Sequence, residues 1–135
     1  EPLVAACFYG CPSQELRVIG ITGTNGKTTT SYLLRYLLSQ LGYPCGLLGS
    51  IECLVGDHSY PSTHSTPDVV DNHKRLAEML RAGQRAAVME VTSHGLMQGR
   101  VQGIDFDAAI FTNLTHDHLD YHATLADYAL VVTAI

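Results

Sequence analysis

The hydrophobic positions change their period abruptly near residue 23. Up to that point "LRVIGIT", Leu16 to Thr22, is a short apolar and β-branched run that predicts a buried strand. Beyond it, "KTTTSYLLRYLLSQLG" repeats with a helical period and puts Leu34, Leu37, Leu38 and Leu41 on one face. Gly42 stands where a helix C-terminal glycine belongs, and Pro44 follows two residues later. Between strand and helix lies a glycine turn, Gly23 to Gly26. Strand, turn and helix together are the opening unit of an α/β fold. Residues 1–15 show little periodicity and carry the breakers Pro2, Gly10 and Pro12, so they are expected to be an irregular lead-in, the end of a preceding domain.

The same logic reads the rest of the chain. "CGLLGSIECLV" predicts one or two strands, with a hairpin at Gly56–Asp57. "STPDVVDNHKRLAEMLRAG" predicts a second amphipathic helix with Thr66 as its cap, Pro67 in its first turn and Asp68 at its positive end. Val69, His73, Leu76 and Leu80 form its expected inner stripe, and Gly83 ends it. "RAAVMEV" and "DFDAAIFTNL" are two more apolar strands. Both run into polar residues: Glu90 to His94 in one case, Thr112 and Asn113 in the other. "LADYALVVTAI" has a helical pattern. The alternation implies a mostly parallel sheet with flanking helices, which gathers its ligands outside the carboxyl ends of its strands. Three polar clusters fall at three such ends.

Size and charge narrow the function. The 135 residues suffice for one domain, expected over 16–135. A hydrophobic fraction of 46% against 16% charged fits a globular protein with a real core. The net charge of −5 argues against nucleic acid or an anionic membrane as partner. No apolar run approaches the roughly 18 residues of a membrane helix, and the acidic start "EPLVAACFYG" lacks a signal peptide's basic region. Cys7, Cys11, Cys45 and Cys53 match neither a CxxC pair nor a zinc ribbon, so they read as small hydrophobes of a reducing compartment.

The strongest chemical signal is "GITGTNGKTT", Gly20 to Thr29. Gly23 and Gly26 let the backbone curl so that successive N–H groups turn toward an anion. The helix N-terminus adds about half a positive charge. The nucleotide-binding segment is then Gly23, Thr24, Asn25, Gly26, Lys27, Thr28 and Thr29. Lys27 would reach the β and γ phosphates of ATP, and the Thr28 hydroxyl would ligate magnesium. A strict phosphate loop has glycine five residues before Gly26, where this chain has Ile21. A mere glycine turn is the bland alternative.

"FTNLTHDHLDYH", Phe111 to His122, carries three histidines and two aspartates in its last seven positions. One rival is a dinuclear hydrolase of the metallo-β-lactamase type, whose His-x-His-x-Asp-His cluster holds zinc. His116, His118 and Asp120 match, but Tyr121 intrudes before His122. One inserted residue moves a ligand too far for metal bonds near about 2 Å. For His58 and His73 plain hydrogen bonding is expected instead; for His116 capping and ligation are equal alternatives. For Asp117 and His118 a magnesium role follows once ATP is granted, because phosphoryl transfer needs charge neutralisation.

"GITGTNGKTTT", "HSTPD", "MEVTSHGLMQGRV" and "FTNLTHDHLDYH" together resemble the ATP-binding central domain of the Mur ligases, in particular its tripeptide-synthetase branch. The likeness runs motif by motif over residues 8–128. It implies a P-loop-containing α/β domain and an ATP-dependent amide ligase of cytoplasmic peptidoglycan synthesis. Its substrates would be UDP-N-acetylmuramoyl-L-alanyl-D-glutamate and a diamino acid, meso-diaminopimelate or lysine. The family pattern further implies catalytic roles for Lys27, Glu90 and His118. One magnesium would rest on Thr28 and Glu90 and a second on His118, while Ser65, Thr66, Thr92, Gln98 and Arg100 would bind the UDP-muramoyl dipeptide. Thr92 stands where the family commonly has serine. A lysine that the family carbamylates as a metal ligand corresponds here to Val132, which supplies no oxygen. The expectation is therefore a monomeric ligase fragment, inactive by itself; a non-catalytic nucleotide-binding module with a decayed metal site is the alternative.

Overall fold

A computed structural model describes residues 2–62 and 66–113. The backbone forms α1 (Pro2–Phe8), β1 (Arg17–Thr22), α2 (Lys27–Gln40), β2 (Cys45–Leu48), β3 (Glu52–Val55), β4 (His58–Pro61), α3 (Val69–Arg81), β5 (Ala86–Glu90), α4 (Ser93–Met97) and β6 (Ala108–Phe111), with a 3-10 turn at Pro12–Gln14. One six-stranded sheet runs in the order β4-β3-β2-β5-β1-β6. The β2, β5, β1 and β6 strands are parallel; β3 and β4 add an antiparallel hairpin meander at one edge.

β5 lies between β1 and β2 and is buried along its whole length, as its unbroken apolar run "AAVM" requires. Alternate residues serve two cores. Val88 and Ala86 join Ile21, Cys45 and Leu47 on the α2 side, while Ala87 and Met89 join Val18, Leu48, Leu76 and Met79 on the α3 side. Each such buried Val, Leu or Met side chain contributes about 1.5–3 kcal/mol. Gly46 in β2 is small because a Cβ there would run into the Met79 side chain.

Several sequence expectations need correction. Residues 2–8 form a helix rather than an irregular lead-in, because α1 packs on α3 and buries Ala5 and Ala6. In α2 the inner stripe runs through Ser31, Tyr32, Leu34 and Leu38, whereas Leu37 and Leu41 face outward. The cap of α3 is Asp68, whose Oδ1 accepts from Asp71 N–H at 2.9 Å, and not Thr66. The stretch after Glu90 forms the short helix α4, capped by Thr92, which accepts from Gly95 N–H at 2.9 Å. Cys45 and Cys53 are buried as expected, but Cys7 is exposed; all four thiols are free. His73 is fully buried on α3, with Nε2 3.1 Å from the Gln102 carbonyl oxygen. The helical pattern of "LADYALVVTAI" lies outside the described residues.

A polar clasp ties α2 to the hairpin. Tyr32 Oη donates to Glu52 Oε2 at 2.5 Å, and Ser59 Oγ donates to Oε1 at 2.5 Å. Burial first, and then the Glu52 bond and charge, push the Tyr32 phenol up to about 12. The two hydrogen bonds hold the Glu52 carboxyl below its usual range, Ser59 more than Tyr32. A raised phenol pKa means that the clasp contributes fully below pH 10 and is lost as pH climbs toward 12. In an ultraviolet titration the absorbance step missing from Tyr32→Phe is expected near pH 12. Glu52→Gln should bring that step part-way back toward 10; an unmoved step would show that the carboxylate has no share in it.

Candidate nucleotide and metal site

The site grows from the carboxyl end of β1. Gly23 has φ 127° and Gly26 has φ 88°, so the chain turns through conformations that side-chain-bearing residues rarely adopt. Gly26 is the N-cap residue of α2. The first-turn N–H groups of α2, those of Lys27, Thr28 and Thr29, have no partner inside the helix and point out of its positive end. The loop thus delivers three N–H groups to one place at the positive end of α2.

The loop is fastened from outside by the end of β6. Thr24 N–H donates to the Asn113 carbonyl at 2.9 Å. The Asn113 side chain reads Asn25 from both sides: Oδ1 accepts from Asn25 N–H at 3.0 Å, and Nδ2 donates to Asn25 O at 2.9 Å. Thr112 packs so tightly on Gly23 that a Cβ there would collide with its hydroxyl. Thr24 and Asn25, expected to serve the nucleotide, thus turn their N–H groups to the scaffold.

Residues 24–29 line a cleft of about 270 Å³ together with Ser50 and Glu90. Lys27 Nζ folds over the loop, donating to Gly23 O at 2.7 Å and Thr24 O at 3.2 Å. Burial lowers the Lys27 pKa, and the Glu90 charge partly opposes that. Glu90 is 1% exposed at the end of β5. Burying a carboxyl group costs free energy unless its oxygens are hydrogen-bonded, and both oxygens of Glu90 are. Thr28 Oγ1 donates to its Oε1 at 2.9 Å, and Ser50 N–H donates to its Oε2 at 2.7 Å. Thr28 and Glu90, 62 positions apart in sequence, meet because β5 inserts beside β1.

The residues fit a magnesium ion. The Thr28 hydroxyl and Glu90 Oε1 are hard oxygen donors 2.9 Å apart, close to the spacing of about 3 Å between neighbouring ligands of an octahedral ion with bonds of about 2.1 Å. Among the described residues no three His, Cys, Asp or Glu side chains are placed to share a metal. The cluster His116, Asp117, His118, Asp120 and His122 lies outside the described residues, as do Ser65 and Val132.

The remaining candidates gather behind Glu90. Thr66 Oγ1 donates to Glu90 O at 3.1 Å and accepts from Thr92 N–H at 2.9 Å. Arg100 Nη1 donates to Thr66 O at 2.9 Å. Thr66, Thr92 and Arg100 therefore form one network at the end of β5, whereas Gln98 ends α4 and is exposed. Sequence reasoning passed over Ser50, which follows an apolar strand as a small polar residue, a pattern that could have flagged it; Asn113 was read as part of a polar strand end but not as a brace of the loop.

Comparison with known proteins gives the following. The sequence profile of the Mur ligase middle domain matches residues 21–135. The UDP-N-acetylmuramoyl-L-alanyl-D-glutamate–2,6-diaminopimelate ligase of Cytophaga hutchinsonii is 47% identical over 126 residues, covering 93% of this chain and 26% of that protein. The enzyme of the same name from Thermosynechococcus vestitus is 51% identical over 125 residues, 93% of this chain and 25% of its own length. The chain thus spans about a quarter of the length of these relatives. A solved structure of a ligase of that name superposes with a TM-score of 0.78 at 39% identity, over 87% of this chain and 23% of that one. MurF from Acinetobacter baumannii shares the fold, with a TM-score of 0.69 at 21% identity over 96% of this chain and 26% of that one.

Proposed function

Because the chain belongs to the Mur ligase family through its middle domain, we propose that it forms the ATP-binding part of an amide ligase that extends a UDP-N-acetylmuramoyl peptide. The observation that carries this is the meeting of Lys27, Thr28 and Glu90 in one cleft at the N-terminus of α2. The relatives' names supply the acceptor, UDP-N-acetylmuramoyl-L-alanyl-D-glutamate, and the amine, 2,6-diaminopimelate. A cytoplasmic setting accords with these substrates. No helix among the described residues is long and apolar enough to cross a membrane.

The first-turn N–H groups of α2 bind the phosphates of ATP, where the helix dipole favours negative charge. Lys27 exchanges the carbonyls of Gly23 and Thr24 for phosphate oxygens. Its ammonium is already partly stripped of water, so an anionic partner recovers more than it would in bulk solvent. Thr28 and Glu90 are the residues that would hold magnesium, which when bound neutralises phosphate charge. The acceptor carboxylate attacks the γ-phosphorus and ADP leaves, giving an acyl phosphate. The amine then attacks the acyl carbon, phosphate departs and a proton is lost. Such a transfer needs positioning and charge neutralisation more than a covalent protein group.

Resemblance assigns Ser65, Thr66, Thr92, Gln98 and Arg100 to the acceptor and His118 to a second magnesium; the network of Thr66, Thr92 and Arg100 at the end of β5 supports the first assignment. Arg100 suits an anionic substrate through its planar fork, and its bond to Thr66 O orients it. Calorimetric titration with ATP and magnesium tests the nucleotide assignment. Lys27→Ala is expected to weaken ATP about tenfold to a hundredfold, the worth of a charge-assisted hydrogen bond, and to leave AMP unaffected. Equal ATP binding by the parent and Lys27→Ala, or none by the parent, would overturn it.

A further inference from the structure

Cys7 and Cys11 meet at the end of α1, and we propose that they form a dithiol site that a small organic disulfide oxidises to a Cys7–Cys11 disulfide. The helix terminus builds the site. Gly10 has φ 80°; its N–H donates to Cys7 O at 3.1 Å, and Cys11 N–H donates to Ala6 O at 2.7 Å. These two bonds are the Schellman closure of a helix, which turns the second residue past the cap back along the last helical turn. Here that residue is Cys11, and the last turn carries Cys7. Their side chains come close enough to share a hydrogen bond. Among the described residues Cys11 is also the one non-glycine with a positive φ, at 51°. A side chain is disfavoured in that region, and the following Pro12 pushes its neighbour toward extended backbone. Glycine would suit this turn better, yet the chain places a thiol there.

Exposure separates the roles of the two thiols. Cys7 is exposed and opens on a surface hollow beside Leu3, Val4 and Phe8, so a dissolved disulfide can reach it. Cys11 is only partly exposed, and burial first, then the Cys7 thiol, raise its pKa above the usual range. The thiolate is the attacking form, so Cys7 attacks and Cys11 resolves. The Cys7 thiolate bonds to one sulfur of the disulfide; the S–S bond breaks, and the first thiolate leaves and takes up a proton. Cys11 then gives its proton to solvent and attacks the Cys7 sulfur, displacing the second thiolate. Two electrons pass from the cysteine pair to the small disulfide, which ends as two thiols. The new bond ties the last turn of α1 to the 3-10 turn at Pro12–Gln14 that leads into β1. In a reducing compartment it forms only when the thiol pool is oxidised, as an exposed regulatory pair does. Cys45 and Cys53 are buried and stay outside this chemistry.

The test uses glutathione disulfide as the probe, on the whole chain, read by intact mass and by peptide mass mapping. The parent is expected to lose two hydrogens, to gain a Cys7–Cys11 disulfide and to keep no lasting adduct. Cys11→Ser should stop at a glutathione adduct on Cys7, because no second thiol displaces it. Cys7→Ser should react about tenfold or more slowly, since the Cys11 thiolate is scarcer and less accessible. Serine nearly keeps the size of the side chain, and thermal melting establishes that each variant is folded. Cys11→Gly, which suits the backbone at φ 51°, repeats the Cys11 arm in a relaxed turn. Stable adducts on both cysteines of the parent, a disulfide elsewhere in the chain, or no reaction at all would each overturn the site. Equal rates in the two serine variants would overturn the order of attack.

Discussion

Glu90→Gln is expected to abolish metal-dependent nucleotide binding while leaving the fold as stable as before, or more so. The substitution conserves volume in a position that is 1% exposed, so no cavity opens. It removes the one negative charge that lines, among the described residues, the cleft of residues 24–29, Ser50 and Glu90. The new amide must offer its oxygen to Ser50 N–H, which donates to Oε2 in the parent. Its nitrogen then faces Thr28 Oγ1, and the Thr28 hydroxyl must accept where it formerly donated. The cation thus loses a charged ligand and meets a donor in its place. Loss of Mn²⁺ affinity by about a hundredfold or more follows, since even outer-shell changes cost 10–100-fold. Stability moves the other way because a buried carboxylate carries a desolvation penalty that its neutral isostere lacks. Mn²⁺ titration with ATP and a thermal melt on one sample check both halves. Parent-like metal binding in the variant would remove Glu90 from the site.

The second large effect is expected at Gly23. Gly23→Ala meets two costs at once. Its φ of 127° lies where an L side chain is strained, at about 1–3 kcal/mol. Its Cβ would also collide with Thr112 Oγ1 and lie 2.9 Å from the Asn113 carbonyl oxygen, in a contact that has no room to relax without moving the end of β6. Overpacking adds about 1–3 kcal/mol, so a loss of about 2–6 kcal/mol is expected by chemical denaturation. The clash also drives apart the two segments that Asn113 joins, so ATP affinity should fall with stability. Gly42→Ala separates the two costs: φ is 89° there, but nothing lies within 4 Å of the added carbon. It should show the conformational cost alone and leave ATP affinity intact. Thr112→Gly should restore part of the loss in a Gly23→Ala background. If Gly23→Ala and Gly42→Ala prove equally mild, the loop is not braced by β6.

What was legible in the sequence was local. The change of hydrophobic period at residue 23, the glycine that ends α2 and the turn at Gly56–Asp57 are decided between near neighbours. Backbone sterics and the 3.6- and 2-residue repeats act over a few positions, so they can be read in order along the chain. Glu90 could be singled out the same way, since a carboxylate after four apolar residues has no structural excuse. The errors arose where the partner was remote in sequence or where a helical period offered more apolar residues than the sheet covers. Thr66 looks like a helix cap, but the Glu90 carbonyl and Thr92 N–H claim its hydroxyl. Leu37 and Leu41 share a helical period with Leu34, but only Leu34 packs against the core and the other two are exposed.

By itself, then, the sequence determined the strand–loop–helix that makes the phosphate cradle, the parallel character of the sheet and the presence of a lone carboxylate at a strand's end. Only the tertiary structure decided that β5 inserts between β1 and β2. That insertion sets Glu90 against Thr28, brings Ser50 to both and explains why the site has the oxygens it has. The bracing of the loop by Asn113, 88 positions away from Asn25, was likewise invisible in the chain. The physical reason is common to all of these. Strand order and the pairing of buried polar groups are settled by burial and hydrogen-bond satisfaction across the whole fold, and no short window of residues contains both partners.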